Sequence, residues 1–322
     1  MKKIIGINLI IFFGIFILLE PISRFFNLAG LMGHSQNTYI NKGKNLHALK
    51  ADNEGKIYNS KYYTDKYGYR VPKPNFNYSK DKKSIFFIGD SVTFGNGVLE
   101  QNTFVGKLRK EFKSLNFINS SVPGYNIPQF TQILETINNF EEVTKIFYIY
   151  CLNDISGINQ EQEVNTERKK INKIKQIKIA NKLNVFLRDK SVFYMFLKGA
   201  LTDPSERYFK YEYNAYKVKS NINLLENFLT KVKDETIQKN IEFKIIIIPY
   251  EFQTRNNNCA NKFMNPQRMV TKIIKKMDIQ FSDYSEYFCN HADPNKLYYK
   301  YDPAHLSRDG HNLVFSILKK DI

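Results

Sequence analysis

Histidine and cysteine are scarce in this sequence: its 322 residues include five histidines and three cysteines. None of them is spaced as the ligands of a tetrahedral metal site are spaced. The sequence therefore argues against an ordinary zinc centre, and we expect no metal and no cofactor. The same scarcity means that a histidine acting as a base has few competitors.

Acidic residues are outnumbered as well: 31 Asp and Glu stand against 48 Lys and Arg, which gives a formal net charge of +17. Such an excess can favour nucleic acid, anionic lipid or an acidic polymer. It also arises from a base composition that enriches Lys, Ile and Asn throughout. We favour that interpretation because no compact Arg-rich recognition stretch occurs. We expect no nucleic-acid partner and keep an anionic envelope component as the alternative.

The sequence shows no internal repeat and no bias towards disorder. Its 43% hydrophobic and 25% charged residues are the balance of a globular chain rather than of a disordered one. A chain of this length can bury a sizeable core in one large domain or in two small ones.

The N-terminus carries a short apolar run. Residues 4–19 are apolar except for one asparagine, and Glu20 closes the run. A spanning helix needs about 20 apolar residues, with about 17 as the lower end, and flanking side chains that reach the interface can make up the difference. The two lysines after Met1 favour a cytoplasmic N-terminus. We predict a transmembrane helix over residues 1–22, an uncleaved signal anchor that leaves the rest of the chain outside the cytoplasm.

Two other interpretations of this segment stay open. A cleaved signal peptide is one, although no A-x-A-like site follows the apolar run closely. A buried core helix is the other, and its position behind a Met-Lys-Lys start argues against it.

The three cysteines fall in two kinds of sequence. Cys259 and Cys289 lie in polar, loop-like stretches, whereas Cys151 ends an apolar strand. An exported domain lies in an oxidising environment, where disulfides persist. A disulfide between Cys259 and Cys289 is our hypothesis, since the sequence itself does not fix the connectivity.

From residue 84 onward, short apolar runs typical of strands buried on both faces alternate with helical stretches. The predicted strands are 84–89, 116–118, 145–151 and 243–248, and the predicted helices are 102–114, 127–141 and 217–239. This alternation predicts an α/β domain over residues 81–322, with a mostly parallel sheet covered by helices on both faces. Residues 23–80 are aromatic and polar, and we interpret them as a stalk and N-terminal extension that runs into a small cap or a first strand.

Residues 162–200 interrupt the alternation, and we predict a helical insertion there. Lysines are frequent in its first half, and Ile171, Ile174, Ile177 and Ile179 are spaced roughly as one helix face. We favour a solvated helix that packs on the domain. The alternative is a basic amphipathic lid or a membrane-facing helix.

The first segment that suggests chemistry follows the first buried strand. Ser91 lies between that strand and a helix, in Gly89-Asp-Ser-Val-Thr-Phe-Gly95. A serine so placed is presented at the edge of the sheet, and its own backbone N–H can help to bind an oxyanion. Thr93 takes the place of the second glycine of G-x-S-x-G, which argues against the ordinary α/β-hydrolase elbow. Gly-Asp-Ser alone also suits a turn with a helix N-cap.

Two further segments follow the next two strands. Gly124, within residues 119–126, can let the backbone approach a ligand and offer an N–H, although Pro123-Gly124 is also a common turn pair. Asn153 can donate its side-chain amide to an oxyanion, although Asn153-Asp154 also suits the start of a helix. The carboxyl ends of parallel strands meet at one edge, where binding sites collect.

The fourth segment lies near the C-terminus. Asp302 precedes His305 by three residues, so its carboxylate can reach the Nδ1–H across one turn and leave Nε2 free to take a proton from a serine. His311 is interpreted as a satisfied, structural histidine, and His291 has no recognisable partner. An Asp-x-x-His pair also suits half of a metal site, but no cluster of ligands accompanies it.

In this order, the four segments resemble the signature blocks of the SGNH (GDSL-type) hydrolases, which are named for Ser, Gly, Asn and His. Residues 93–98 are similar to the family's continuation of its first block, and Gly68-Tyr-Arg70 resembles an element that often precedes it. The resemblance covers roughly residues 60–322 and implies a flavodoxin-like, three-layer α/β/α fold. One position departs: Cys151 stands where the third block usually carries a glycine, and it is interpreted as a core residue rather than as a second nucleophile.

The resemblance implies a role for each of five residues. Ser91 is the nucleophile and His305 the general base, oriented by Asp302. The backbone N–H groups of Ser91 and Gly124 and the side chain of Asn153 form the oxyanion hole.

The activity that follows from this resemblance is acyl transfer through an acyl-enzyme. We expect a membrane-anchored serine esterase that removes acetyl or longer acyl groups from an envelope lipid or glycan. An O-acyltransferase acting on surface polysaccharide is the alternative, and fold analogy does not separate the two. An inactive glycan-binding or scaffold protein is a third and less favoured interpretation. Asp90, beside the nucleophile, is expected to fix the loop rather than to take part in chemistry.

Overall fold

An eight-stranded β-sheet forms the centre of the fold in the computed structural model. The structure describes residues 2–31, 38–43, 46–140, 142–156, 178–255, 259 and 262–322. In chain order, the strands are β1 (Tyr39–Gly43), β2 (Leu46–Leu49), β3 (Glu54–Ile57), β4 (Ser60–Thr64), β5 (Arg70–Val71), β6 (Ser84–Ile88), β7 (Asn116–Asn119), β8 (Val143–Tyr150), β9 (Glu242–Ile247) and β10 (Gln280–Asp283).

Helices occupy most of the remaining described chain. The α-helices are α1 (Lys2–Phe25), α2 (Ser91–Phe94), α3 (Phe104–Glu111), α4 (Ile127–Thr136), α5 (Lys178–Lys190), α6 (Val192–Thr202), α7 (Pro204–Ala215), α8 (Lys219–Gln238), α9 (Glu251–Thr254), α10 (Asn265–Lys276), α11 (Ser285–Cys289) and α12 (Arg308–Leu318). Short 3-10 helices cover Glu100–Asn102, Ile137–Asn139, Leu152–Ile155, Lys262–Met264, Pro294–Leu297 and Lys319–Asp321.

Five strands of the central sheet run parallel. They lie in the order β10-β9-β8-β6-β7, and each neighbouring pair is in parallel register. Strand β6 is buried along its whole length, as are the last five residues of β8. Burial on both faces explains why these two strands are continuous apolar runs in the sequence. The four predicted strands agree with β6, β7, β8 and β9 to within two residues at each end.

Helices cover both faces of this sheet. The chain passes from β6 to β7 on one side and then returns to β8, β9 and β10 on the other side of β6. Right-handed crossovers therefore place α3 on one face and α4, α8 and α10 on the opposite face. In agreement with this, α3 packs against α12, and α4 packs against α8. The predicted α/β fold with a mostly parallel sheet is confirmed, and the carboxyl ends of β6 and β8 mark the point where such sheets bind ligands.

The N-terminal extension completes the sheet. Strands β5, β4 and β3 continue it beyond β7 as antiparallel strands. Arg70 of β5 pairs with Asn119 of β7, so the extension covers an edge that would otherwise expose unpaired backbone groups. The boundary expected at residue 81, between residues 23–80 and the domain that follows, is therefore not a boundary in the sheet. Residues 54–71 belong to the same sheet as the strands after them.

Arg70 ties this extension to the segment that follows α2. The residue is 1% exposed, and its guanidinium donates to the backbone carbonyls of Phe94 (2.5 Å), Gly95 (2.8 Å) and Val98 (2.5 Å). Burial, together with the nearby cation of Arg109, lowers the pKa of Arg70 to about 9. A buried cation is costly unless hydrogen bonds satisfy it. The three carbonyls supply those hydrogen bonds, so Arg70 fixes the path of this segment.

The N-terminal helix α1 packs against α6. The rings of Phe16 and Phe193 meet edge to face with their centroids 5.1 Å apart. The carboxylate of Glu20 accepts hydrogen bonds from the Ser191 hydroxyl (2.7 Å) and the Val192 N–H (2.9 Å). Glu20 therefore caps the first turn of α6, where a negative charge is favourable.

A helix thus forms at the signal anchor predicted over residues 1–22. Among the helices that the structure describes, however, none combines the length and the hydrophobicity needed to cross a membrane. The predicted transmembrane helix is not supported.

The predicted insertion over residues 162–200 is only partly described. Its second half forms helices α5 and α6. Ile171, Ile174 and Ile177 of the predicted amphipathic face lie outside the described residues. The solvated helix that we favour, and the lid or membrane-facing alternative, both stay predictions.

A disulfide joins Cys259 to Cys289 across 30 residues of sequence, with their Cα atoms 6.2 Å apart. It links the chain after α9 to the last residue of α11. Cys151 is a buried free thiol. The hypothesised pairing is the one that the structure contains.

We expect denatured, unreduced protein to show one free thiol, that of Cys151, when it is titrated with a thiol reagent. Replacing Cys259 and Cys289 together by alanine should lower the free energy of unfolding by about 2–4 kcal/mol, because the cross-link restricts the unfolded chain. The control variant Cys151→Ala should keep the disulfide and show no free thiol. Three titratable thiols in the unreduced wild-type protein would contradict the pairing.

Candidate active site

The serine of the first block lies at the first position of helix α2, directly after β6. The Asp90 carboxylate caps this helix by accepting a hydrogen bond from the Val92 N–H (2.9 Å). Gly95 ends the helix with a φ of +83°, the left-handed conformation that favours glycine. Because the first N–H groups of a helix have no partner within it, the Ser91 N–H is available to a ligand.

Ser91, His305 and Asp302 form a continuous hydrogen-bonded chain. Oγ of Ser91 lies 2.9 Å from Nε2 of His305. Nδ1 of the same imidazole lies 2.9 Å and 3.0 Å from the two carboxylate oxygens of Asp302. A proton on Nδ1 that is donated to Asp302 leaves Nε2 as the acceptor for the serine hydroxyl, which is the tautomer that a general base requires.

The loop around Asp302 holds its carboxylate in place. Oδ1 also accepts hydrogen bonds from the backbone N–H groups of His305 (2.7 Å) and Ala304 (3.0 Å). A β-bridge between Tyr298 and Leu306 closes the same loop. The carboxylate and the imidazole are therefore oriented by local backbone geometry and not by their mutual attraction alone.

Opposing effects set the proton affinity of His305. Burial alone disfavours the imidazolium, but the charge and the hydrogen bonds of Asp302 outweigh it and raise the pKa of His305 above its ordinary value of 6.5, with a further contribution from Asp90. A base with a raised pKa holds a proton taken from serine more firmly, and it is neutral only at higher pH.

Asn153 occupies the 3-10 helix that follows β8, so its side chain meets the nucleophile segment at the sheet edge. Its Nδ2 donates to Oδ2 of Asp90 (2.8 Å), and its Oδ1 accepts from the Tyr250 hydroxyl (2.9 Å). A side-chain amide nitrogen carries two hydrogens, and Asp90 uses one of them. The second is left for an oxyanion, as the predicted role of Asn153 requires.

Gly124 lies in the loop after β7 and has a φ of +83°. A Cβ at this position would meet no atom closer than 3.6 Å, where the His47 ring lies. Glycine is therefore favoured here by backbone conformation rather than by lack of space. The loop lies at the same edge of the sheet as Ser91, and the part of Gly124 in an oxyanion hole stays a prediction.

Two other candidates, His311 and Cys151, are unsuited to the reaction. His311 is fully buried and accepts a hydrogen bond from the Phe104 N–H (3.3 Å); burial lowers its pKa to about 3, so it is neutral and structural. Burial raises the pKa of the Cys151 thiol, which makes it a poor nucleophile. Within the described residues, no three His, Cys, Asp or Glu side chains are grouped as metal ligands.

Three side chains near the catalytic groups were not predicted from the sequence. Tyr250 contacts Asn153, Nδ2 of Asn96 lies 3.4 Å from Nε2 of His305, and the Tyr58 ring centroid lies 5.8 Å from that of His305. Tyr250 had a usable signal, because it follows the apolar run of β9 at the same edge of the sheet. Tyr58 lies at a hairpin tip within the extension, and no motif indicates it.

No protein-family model and no curated protein matches the chain. Among solved structures, the chain is similar to a G-D-S-L family protein from Desulfitobacterium hafniense (TM-score 0.42, 10% identity, 75% of this chain and 100% of that one). It is also similar to a member of the lipolytic G-D-S-L family from Veillonella parvula (TM-score 0.41, 13% identity, 74% of this chain and 97% of that one). A third similar structure is an acetyl xylan esterase from Geobacillus stearothermophilus (TM-score 0.42, 15% identity, 75% of this chain and 96% of that one). Because these TM-scores are below 0.5, the similarities carry no argument about chemistry, and the roles of the residues follow from the geometry of the site.

The raised pKa of His305 predicts the pH dependence of turnover. Because only the neutral imidazole accepts the serine proton, kcat/KM for an ester substrate should rise with pH through an apparent pKa above 6.5. Asp302→Asn removes the carboxylate that raises this pKa, so the acid limb should move to lower pH. The same change should lower kcat by on the order of 10³–10⁴-fold, because the imidazole loses its orienting partner.

The control for this prediction is Asp309→Asn, which removes a carboxylate from the first turn of α12 and should leave the profile unchanged. An acid limb that does not move in Asp302→Asn would contradict the assignment of His305 as the base.

Proposed function

We propose that this protein is a serine ester hydrolase of the SGNH type that works through an acyl-enzyme on Ser91. The observation that carries the proposal is the unbroken chain of hydrogen bonds from Asp302 through His305 to Ser91. Ser91 lies 214 residues before His305 in the sequence, yet its hydroxyl meets the His305–Asp302 pair in the arrangement that activates a serine.

The first chemical step is the attack of Ser91 on an ester carbonyl. Oγ forms a bond to the carbonyl carbon while its proton passes to Nε2 of His305, 2.9 Å away. Asp302 accepts the hydrogen bond from the Nδ1–H of His305 and so stabilises the imidazolium that results. The carbonyl oxygen becomes an oxyanion, and the N–H of Ser91, the free Nδ2–H of Asn153 and the N–H of Gly124 are its proposed donors.

The second step releases the alcohol and leaves the acyl group on the serine. The C–O bond of the ester breaks, and the leaving alkoxide takes the proton from Nε2 of His305. A water molecule then gives a proton to the same nitrogen while its oxygen bonds to the acyl carbon. The bond from that carbon to Oγ breaks, and Oγ takes the proton from Nε2, which frees the acid and restores Ser91 and neutral His305. If a sugar hydroxyl replaces that water, the same residues perform O-acyl transfer.

We further propose that the catalytic domain acts outside the cytoplasm, on acyl or acetyl esters of an envelope lipid or glycan. The disulfide between Cys259 and Cys289 supports export, because disulfides persist in oxidising compartments. The single-pass anchor with a cytoplasmic N-terminus rests on the sequence alone. The net charge of +17 fits an anionic envelope surface as the partner.

The test of the proposed reaction is the turnover of p-nitrophenyl acetate by purified wild-type protein and by Ser91→Ala. We expect turnover in water alone and a loss of at least about 10³-fold in the variant, because no other group replaces the nucleophile. Ser285→Ala is the matched control: Ser285 is another serine at the first position of a short helix, and its loss should leave the rate unchanged.

The same assay separates the alternatives. Turnover that requires an added sugar acceptor would identify an O-acyltransferase. Equal turnover by wild type and Ser91→Ala would exclude catalysis by this site and favour a glycan-binding or scaffold protein.

A further inference from the structure

We infer that Tyr250 is a positioning residue that orients the Asn153 amide towards the oxyanion. The inference rests on the proposed function and extends it by one residue that lies outside the four signature segments. Tyr250 follows β9, whereas Asn153 follows the neighbouring strand β8. The two residues thus meet at the carboxyl edge of adjacent parallel strands.

The position of Tyr250 is fixed by its surroundings. The residue is 3% exposed, and its backbone N–H donates to Oε1 of Gln253 (2.9 Å) in the first turn of α9. Gln253 is itself fully buried, and its side-chain amide exchanges hydrogen bonds with that of Gln267. Because Tyr250 is buried and held in this way, its hydroxyl keeps a fixed position against Asn153.

The hydrogen bonds of Asn153 show that Oδ1 of its amide faces Tyr250 and that Nδ2 faces Asp90. Oδ1 can only accept, so the Tyr250 hydroxyl must donate to it. Burial raises the pKa of Tyr250 well above its ordinary value, so the hydroxyl keeps the proton that it donates. Asp90, a carboxylate, accepts from Nδ2 on the other side. With both ends assigned, the second Nδ2–H has one direction left, away from Asp90 and Tyr250.

The hydrogen bonds with Asp90 and with Tyr250 make different contributions to the orientation of the Asn153 amide. The Asp90 hydrogen bond alone leaves the amide free to pivot about it, which would carry the second Nδ2–H out of line with the oxyanion. The Tyr250 hydrogen bond fixes the plane of the amide at a second point. Donation to Oδ1 also polarises the amide and makes its N–H a stronger donor.

The orienting role of Tyr250 matters more in this chain because its third segment departs from the SGNH pattern two residues before Asn153. Cys151 occupies the place at which SGNH hydrolases usually carry a glycine two residues before the asparagine. Its N–H donates to the buried Asp154 carboxylate (3.0 Å), which shapes the start of the 3-10 helix that carries Asn153. Tyr250 then orients the Asn153 side chain from outside this segment.

The experiment measures kcat and KM for p-nitrophenyl acetate in wild type and Tyr250→Phe, which removes the hydroxyl and keeps the ring. We expect kcat to fall about 10- to 100-fold, less than the 10²–10³-fold typical for deletion of a whole oxyanion donor. KM should change less than twofold, since the oxyanion exists only in the transition state. Titration of Ser91 to completion with a fluorophosphonate corrects each rate for the fraction of folded sites.

Tyr194→Phe is the matched control. The Tyr194 hydroxyl also donates to the side-chain oxygen of an asparagine, Oδ1 of Asn184 (2.7 Å), and the two residues lie on helices α6 and α5. Removing this hydroxyl breaks the same kind of hydrogen bond without touching Asn153, and the corrected kcat should stay within twofold of wild type.

A double-mutant cycle distinguishes orientation from a general structural effect. If Tyr250 acts through Asn153, Tyr250→Phe should cost nothing further in an Asn153→Ala background. An unchanged kcat in Tyr250→Phe, or an equal loss of kcat with and without Asn153, would overturn the inference. The proposed function would still stand in that case if Ser91→Ala is inactive. Undiminished turnover by Ser91→Ala would overturn the proposed function itself.

Discussion

The buried carboxylate of Asp90 is the interaction on which the geometry of the site depends. It is 1% exposed, and it accepts hydrogen bonds from the Val92 N–H and from Nδ2 of Asn153. One hydrogen bond starts the helix that presents Ser91, and the other joins that helix to the end of the neighbouring strand. Burial raises the pKa of Asp90, which means that its ionised form depends on these donors. Asp90 therefore organises the nucleophile and the oxyanion donor together, as the sequence led us to expect of a residue that fixes the loop.

A second buried charge, that of Arg70, fixes the chain on the C-terminal side of the nucleophile. Arg70 donates to the carbonyls of Phe94, Gly95 and Val98, and so it binds the N-terminal extension to the segment that follows the nucleophile. Gly95 needs its left-handed φ at this point, and a Cβ there would come within 3.2 Å of the Arg70 guanidinium. The extension is therefore part of the structure that supports the site, although it carries no catalytic group. Its Gly-Tyr-Arg element was noticed in the sequence as a resemblance, and the structure supplies the physical reason for the arginine.

The parts that could be predicted from sequence are those with a local signal. Strands β6 and β8 are continuous apolar runs because both of their faces are buried, and the Asp302–His305 pair is spaced to interact within one turn. Tyr58 carries no such signal, and Tyr250 could be placed only at the sheet edge after β9, because the contacts of both residues join segments that lie far apart in the sequence. The individual strands of the extension could not be delimited from the sequence, because these short antiparallel strands lack the long apolar runs of the core. The transmembrane prediction relied on a marginal length of apolar sequence, and the described helices do not support it.

The central claim is that Ser91 is activated by His305 to form a covalent acyl-enzyme. Its most direct test is peptide mass mapping after incubation of the purified protein with a fluorophosphonate, which reacts with activated serines. We predict one adduct per chain, on the peptide that contains Ser91, and its loss in His305→Ala and in heat-denatured protein. An adduct on another residue, or equal labelling of Ser91 in His305→Ala, would contradict the account.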